Sequence, residues 1–274
     1  MRFSDEASHT GRSGQPARFG PILPGSILLL TGLSLSYFGY LWGEASPNPG
    51  ELVGSLFFWL GFAYLLFVFP LRAVTRSLGT SLRRSHGAWL FACYLAVHLV
   101  LYGFVLEGIL AVAYGTEVLA VSSGFIVTTD VFSPPSLSSA LFDLVYNPSI
   151  VATVQPIFSV ALSFYSIFMA TVIAVLVVTN VARTKELGEL CTMWGRARSF
   201  VLLPALGVAL GASCCLSVAG LLAIAAPSLS ALESNIWAYY ATYFAFPTLA
   251  VFLLLFNLRA IRRISAKLAS PSPA

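Results

Sequence analysis

The chain contains six long runs that lack Asp, Glu, Lys and Arg: 19–43, 52–71, 85–106, 144–182, 199–232 and 234–258. A helix needs about 20 apolar residues to cross the roughly 30 Å hydrocarbon core of a bilayer, so each run is long enough for one crossing. Only 9% of the 274 residues are charged, against about 25% in soluble domains. These features predict an integral membrane protein and exclude a soluble globular domain.

Helix signals within the runs define six predicted spans. They lie near 25–43, 52–71, 88–113, 154–181, 199–226 and 237–258. The predicted fold is therefore an all-α bundle of six transmembrane helices over residues 25–258, with no soluble domain.

The fifteen basic residues predict the orientation. They fall before span 1, between spans 2 and 3, between spans 4 and 5, and after span 6: Arg2, Arg12, Arg18; Arg72, Arg76, Arg83, Arg84; Arg183, Lys185, Arg196, Arg198; Arg259, Arg262, Arg263, Lys267. With six spans all four groups lie on one side, which the positive-inside rule makes cytoplasmic. Both termini are then cytoplasmic, and we expect a multi-pass protein of the plasma membrane. Because these residues flank apolar runs, they do not indicate nucleic-acid binding.

The two terminal segments are polar. Residues 1–24 are rich in Ser, Gly, Arg and Pro, and are predicted to form a disordered leader before a retained first span. Residues 259–274 form a basic cytoplasmic tail, in which four cations recur at helical spacing and would contact anionic lipid headgroups: Arg259, Arg262, Arg263 and Lys267.

The predicted external loop, residues 114–153, is the longest stretch outside the spans. Its first part, 117–130, is rich in β-branched residues and is predicted to be extended. A short helix over 137–146, capped by Ser136, would follow. It would either cover the bundle at the outer interface or fold back into the membrane.

The fifth predicted span is dense in small residues. Gly207 and Gly211 form a GxxxG pattern that Ala212 and Ser213 continue. Small residues allow helices to approach closely, so this face is predicted to pack against neighbouring helices or a second copy of the protein.

Cys214 and Cys215 follow this pattern directly. Adjacent residues point about 100° apart on a helix, which disfavours a disulfide between them. As thiolates they would suit a soft ion such as Cu(I) or Hg(II), about 22–24 Å from the inner edge of the span. The alternative is that two small apolar thiols fill a tight helix interface.

The segment Gly211-Ala-Ser-Cys-Cys-Leu216 resembles the vicinal-cysteine helix of the bacterial mercuric transporter family MerT. The resemblance covers about six residues of 274. It implies that Cys214 and Cys215 are ligands that take a metal ion from the outside of the membrane.

Span 3 holds two further ionisable residues, His98 near its middle and Glu107 toward its outer end. Ionisable groups inside a span are costly and mark functional sites by default. His98 would either take part in such a site or form a hydrogen bond to a neighbouring helix. Glu107 would be solvated by headgroups or line an outer cavity.

Motifs of the common enzyme classes are absent from the sequence, which has no Walker A, HExxH, GxSxG or CxxCH pattern. We therefore expect no enzymatic activity. The sequence favours a transporter or permease for a small solute or a soft metal ion, with Cys214, Cys215, His98 and Glu107 as candidate metal or substrate groups. The alternative is a non-catalytic subunit or assembly factor of a larger membrane complex, for which the small-residue face of span 5 would be the contact.

Overall fold

The computed structural model describes residues 20, 22–42, 47–83, 86–101, 108–109, 112, 123–129, 144–145, 147–154, 158–190 and 241–269. The helices are α1 (Ile22–Trp42), α2 (Pro49–Val68), α3 (Arg72–Arg83), α4 (Gly87–Ala96), α5 (Phe164–Leu190) and α6 (Phe246–Ala269). Two π-helical segments, Val97–Leu101 and Ala241–Ala245, continue α4 and precede α6. Three strands, β1 (Gly124–Thr128), β2 (Ser149–Val154) and β3 (Phe158–Leu162), form one sheet.

Four helical segments are long and apolar enough to cross a membrane: Ile22–Gly39, Pro49–Val68, Phe164–Leu187 and Tyr243–Ala266. A shorter apolar helix spans Gly87–Val100. The prediction of a helical, multi-pass membrane protein is confirmed at this level. The predicted fifth span, 199–226, lies outside the described residues.

Helices α1 and α2 form an antiparallel hairpin whose backbones touch at glycines. Gly25, Gly32 and Gly39 recur at seven-residue spacing on α1 and face α2. Gly54 and Gly61 of α2 repeat the same spacing and face α1. A Cβ atom built on Gly61 would lie 2.6 Å from the backbone nitrogen of Leu29, so no side chain fits between the helices there. This interface depends on glycine in the way that close membrane helix pairs do.

Helix α3 lies in the segment that the sequence analysis treated as a connection between spans 2 and 3. Val74, Ser77 and Ser81 are buried along one face, while Arg72 and Arg76 are exposed. Helix α3 therefore packs one face against the bundle, where Val74 joins the hydrophobic core, and exposes its basic face.

Helices α2 and α5 run in the same direction. The rings of Trp59 and Tyr165 lie 5.2 Å apart between centroids, and those of Phe62 and Phe168, one turn further along both helices, lie 5.4 Å apart. Helix α5 is central, because 78% of the residues in its apolar stretch are buried.

Helix α6 also runs parallel to α5. At their starts the hydroxyl groups of Ser163 and Tyr243 lie 3.2 Å apart. About four to five turns further along, Asn257 Nδ2 donates to Asn180 Oδ1 at 3.0 Å. The two helices therefore begin at the same end of the protein and also finish together.

The end at which α2, α5 and α6 finish carries basic residues and is called the basic end here. Arg262 of α6 donates from Nη2 to the carbonyl oxygen of Ala73 in α3 at 3.2 Å. Arg183 of α5 forms an ion pair of 2.7 Å with Glu186. Helix α4 starts at this end, since a Cβ built on Gly87 would meet the backbone of α3.

The opposite end carries the three-stranded sheet and is called the sheet end. β2 pairs antiparallel with both β1 and β3, with Ile126 opposite Val151 and Ala152 opposite Val160. β1 confirms the extended structure predicted within 117–130, in the part that is described. The other two strands correct the all-α prediction.

Strand β3 and the last residue of β2, Val154, occupy positions predicted as the start of span 4, whereas the rest of β2 lies in the predicted external loop. The fourth helix begins at Phe164 instead. The run from Ser149 to Leu162 is apolar and rich in β-branched residues, so it is as suited to a paired strand as to a membrane helix. Antiparallel pairing satisfies the backbone N–H and C=O groups of these strands. The local composition does not distinguish a paired strand from a membrane helix.

A buried amide pair fixes α5 to α6 in the middle of the bundle. Asn180 and Asn257 are both 0% exposed, and Asn180 Nδ2 also donates to the carbonyl oxygens of Leu176 and Leu254 at 2.8 and 3.1 Å. Buried polar groups need such partners, since an unmade hydrogen bond is costly in an apolar medium. The pair therefore sets the register of the two helices.

We expect a double-mutant cycle of Asn180→Ala and Asn257→Ala to give a coupling free energy of about 1 kcal/mol, as measured for interhelical hydrogen bonds in membranes. The midpoint of thermal unfolding in detergent is the measurement. Thr171→Val is the control, because the Thr171 hydroxyl bonds within its own helix, to the Ile167 carbonyl at 2.8 Å. Additive effects of the two asparagine variants would contradict a direct interaction.

Candidate functional site

The start of α2 carries a cluster of buried polar side chains at the sheet end. Asn48, Glu51, Ser55, Thr129 and Asn147 are between 0 and 6% exposed. They come from three parts of the chain: the first turns of α2, the residue after β1, and the segment before β2. Tertiary contacts therefore create this cluster.

Asn48 caps α2 and ties it to the sheet. Its Oδ1 accepts from the Gly50 N–H at 2.9 Å, while its Nδ2 donates to the Gly39 carbonyl at 2.7 Å. Asn is a favoured N-cap, and Pro49 fits the first helical position that follows. The Asn48 N–H donates to Thr129 Oγ1 at 2.8 Å. In a capping box, the third helical residue, here Glu51, would take this N–H, so Thr129 replaces it in that role.

Residues 144 and 147 contact α2 well beyond its first turn. Ser55 Oγ donates to the carbonyl oxygens of Leu144 and Asn147 at 3.1 and 2.8 Å, and Trp59 Nε1 donates to Leu144 at 2.7 Å. Ser55 and Trp59 lie roughly 9 and 15 Å along the helix from its first residue. Leu144 and Val145 are the described part of the predicted 137–146 helix, and they pack against the bundle beside α2.

Glu51 is the most unexpected member of the cluster. It directly precedes the uncharged run 52–71, where a charge normally faces water, but its side chain is only 1% exposed. It lies on the same face of α2 as Ser55 and Trp59, at intervals of four residues. A carboxylate in the first turn is stabilised by the helix dipole, whereas its burial is costly.

His98 is also buried at 1% exposure, in the π-helical segment that continues α4. The Tyr94 hydroxyl lies 2.9 Å from His98 Nδ1, within the same helix. His98 is about 16 Å along the helix from Gly87, close to the middle of a bilayer core. This hydrogen bond lies within one helix and does not reach a neighbouring helix. π-helical turns inside helices are rare and occur often at functional sites.

Both π-helical segments meet the junction between β3 and α5. The segment around His98 contacts both elements. In the second segment the Tyr243 carbonyl accepts from the Tyr165 hydroxyl at 3.2 Å, and the Tyr243 hydroxyl pairs with Ser163. Ser163 and Ser166 exchange further hydrogen bonds at the start of α5. The junction is thus a buried, hydrogen-bonded region within an otherwise apolar core.

A cavity of about 520 Å³ lies at the basic end, between α3, α4 and α5. Its lining combines apolar and ionisable side chains: Ser81, His86, Gly87, Trp89, Leu90, Cys93, Val178, Val181, Ala182, Lys185 and Glu186. Cys93, a free thiol, directly precedes Tyr94, the partner of His98. The cavity therefore reaches along α4 to within two turns of His98.

Most of the predicted site residues fall outside the described part of the chain. These are Glu107, Cys214, Cys215 and the packing set Gly207, Gly211, Ala212 and Ser213. Of the four predicted lipid contacts, Arg259 and Arg263 are exposed, and Arg262 is half-buried and bonded to α3. Lys267 lies within α6.

The described residues bring together no group of three His, Cys, Asp or Glu side chains that could hold a metal ion. A soft-metal site at Cys214 and Cys215 stays a prediction. Comparison of the chain with protein-family models, with curated proteins and with solved structures gave no match.

Proposed function

We propose that the protein is a transporter or permease for a small solute or a soft metal ion. The observation that carries the proposal is the burial of two ionisable side chains, Glu51 and His98, in apolar membrane helices. Buried ionisable groups in membrane helices are costly and mark substrate, ion and proton pathways. Both can change charge, which a fixed structural amide such as Asn180 cannot do.

The arrangement of the other features supports a pathway through the bundle. The Tyr94–His98 pair lies midway along the bundle, and the Arg183–Glu186 ion pair lies at the basic end. The Glu51 cluster lies at the other end, beside a segment that folds in from the sheet end. Ionisable groups therefore occur at the basic end, midway along the bundle at His98, and at the sheet end.

The proposed topology is six spans with both termini on the cytoplasmic side of the plasma membrane. Basic residues of α3, α5 and α6 share one end, as the positive-inside rule requires of a cytoplasmic face. Helix α5 finishes at that end and α6 begins at the sheet end. The chain between Leu190 and Ala241 must therefore lead from one end to the other, which supports the predicted fifth span.

Cys214 and Cys215 are the proposed ligands if the substrate is a soft metal ion, with Glu107 as a further candidate group. The support is the chemistry of paired thiolates and the resemblance to the mercuric transporter family. Glu51 and His98 support transport independently of the metal.

The test is uptake by purified protein in liposomes, with Hg(II) and Cu(I) as probes and a metal-responsive dye inside. We expect uptake above that of empty liposomes. The double variant Cys214→Ser with Cys215→Ser should slow uptake about tenfold, which corresponds to ~1.4 kcal/mol of lost binding. Cys191→Ser is the control for loss of one thiol.

Two outcomes would change the proposal. Unchanged metal uptake in the double variant, at equal reconstitution, would exclude the cysteine pair as the metal site. Absence of metal uptake by the wild type would leave a small solute as the substrate. Protein that carries neither metal nor solute alone, and that co-purifies in fixed ratio with other chains in mild detergent, would favour a subunit of a larger complex.

A further inference from the structure

The cavity at the basic end has a cationic mouth. Lys185 is exposed there, and the described part of the chain offers it no ion pair. Glu186, the acidic residue in the lining, is bound to Arg183 at 2.7 Å. His86 adds a ring nitrogen beside the mouth. The mouth therefore favours an anion.

The inner wall of the cavity is apolar. Leu90 of α4 faces Val178, Val181 and Ala182 of α5 across it. A volume of about 520 Å³ is in the range of small-ligand sites. A cationic mouth joined to an apolar wall matches an amphiphile with an anionic head and a hydrocarbon tail.

The cavity lies at headgroup level if the helices span the bilayer. It opens beside the first turn of α4 and the last turns of α5, next to α3. Trp89, on its edge, is 72% exposed. Exposed tryptophan at a helix end is typical of the belt of aromatic residues at a membrane interface.

We propose that this cavity is a binding site for one anionic phospholipid of the leaflet at the basic end. The phosphate lies at Lys185, and the first part of an acyl chain lies along Leu90, Val178 and Val181. The site is separate from the predicted lipid-contact residues of α6 and does not depend on the proposed transport.

Cys93 provides a direct test, because it lines the cavity and is a free thiol. Protein is placed in vesicles of phosphatidylcholine alone or of phosphatidylcholine mixed with phosphatidylglycerol, and its alkylation by N-ethylmaleimide is followed by peptide mass spectrometry. We expect phosphatidylglycerol to slow Cys93 alkylation about fivefold, the effect of one lysine near anionic lipid. Lys185→Gln should remove this protection.

Arg76→Gln is the matched control, because Arg76 is exposed on α3 outside the cavity lining. It removes one cation from the same end and should keep the protection, which separates a site from the general surface potential. Equal alkylation rates in the two vesicle types, or equal protection in Lys185→Gln and wild type, would overturn the proposal. Equal protection by inorganic phosphate in phosphatidylcholine vesicles would also overturn it.

Native mass spectrometry supplies a second measurement that is independent of Cys93. Wild-type protein from mixed vesicles should retain one phosphatidylglycerol more often than Lys185→Gln does, by about the same fivefold factor. Equal retention by wild type and Lys185→Gln would contradict the lipid site without changing the expected result of the transport assay. The two proposals can therefore fail separately.

Discussion

Protein carrying Gly54→Leu is expected to lose most of its folded fraction, because α1 and α2 can no longer approach. A Cβ atom on Gly54 would meet the backbone nitrogen of Ser36 and would lie 2.8 Å from the carbonyl oxygen of Gly32. These are backbone atoms of α1, so no side-chain rotation relieves the clash. Relief requires the two helices to separate.

The loss of stability depends on whether side chains alone or the two helix backbones must shift. Overpacking a core by a few methylene groups costs about 1–3 kcal/mol when side chains can adjust. The clash at Gly54 already arises at the Cβ atom and involves backbone, so Gly54→Ala should cost at least the upper end of that range and Gly54→Leu should exceed it. Gly32 and Gly61 make similar backbone contacts, so leucine should destabilise the protein more than alanine at those positions too.

The measurement is the monodisperse fraction after detergent extraction, together with the midpoint of thermal unfolding. Gly79→Ala is the control, because a Cβ there has no atom within 4 Å and Gly79 lies inside α3. Alanine in that helix should stabilise by about 0.5–1 kcal/mol. A Gly54→Leu protein with the wild-type midpoint would show that the hairpin does not depend on glycine contact.

The sequence predicts the long helices well because their signal is local. Uncharged runs long enough to span a bilayer define α1, α2, α5 and most of α6 without any knowledge of their neighbours. The glycine interface was also present in the sequence, as the seven-residue spacing of Gly25, Gly32 and Gly39. The packing face predicted from the sequence was instead the GxxxG pattern of span 5.

The sheet could not be predicted in the same way. Residues 149–162 are as apolar as a span, and whether they pair as strands depends on β1, more than twenty residues earlier in the chain. Local hydrophobicity cannot separate a buried strand from a membrane helix in so short a run. The predicted start of span 4 therefore fell ten residues before Phe164.

The two buried ionisable residues of the candidate site differ in the same way: local sequence predicts the burial of one and not of the other. His98 lies in the middle of an apolar run, so its burial follows from its position alone. Glu51 lies at the end of a run, where a charge normally faces water. It is buried where Thr129 and Asn147 reach the start of α2, through contacts some 80 to 90 residues apart in the chain. Such contacts leave no pattern in a single sequence.

Replacing Glu51 with glutamine is expected to slow transport in liposomes about ten- to a hundredfold while the protein stays folded. Glutamine keeps the size and hydrogen-bonding capacity of the side chain but cannot carry a charge. A hydrogen bond to a charged group contributes about 1.5–3 kcal/mol, which corresponds to that range of rates. His98→Gln should also slow transport, because it too removes an ionisable group from the bundle.

A purely structural role for Glu51 predicts a different pattern. Burial of a carboxylate is costly, so Glu51→Gln should then leave the unfolding midpoint equal or higher and the transport rate unchanged. Glu6→Gln, which neutralises a carboxylate in the leader ahead of α1, controls for the loss of one negative charge. Wild-type transport by Glu51→Gln at equal reconstitution would mean that the helix dipole alone accounts for this residue. Loss of transport with an unchanged midpoint would instead place Glu51 on the pathway, since a folding defect would lower both.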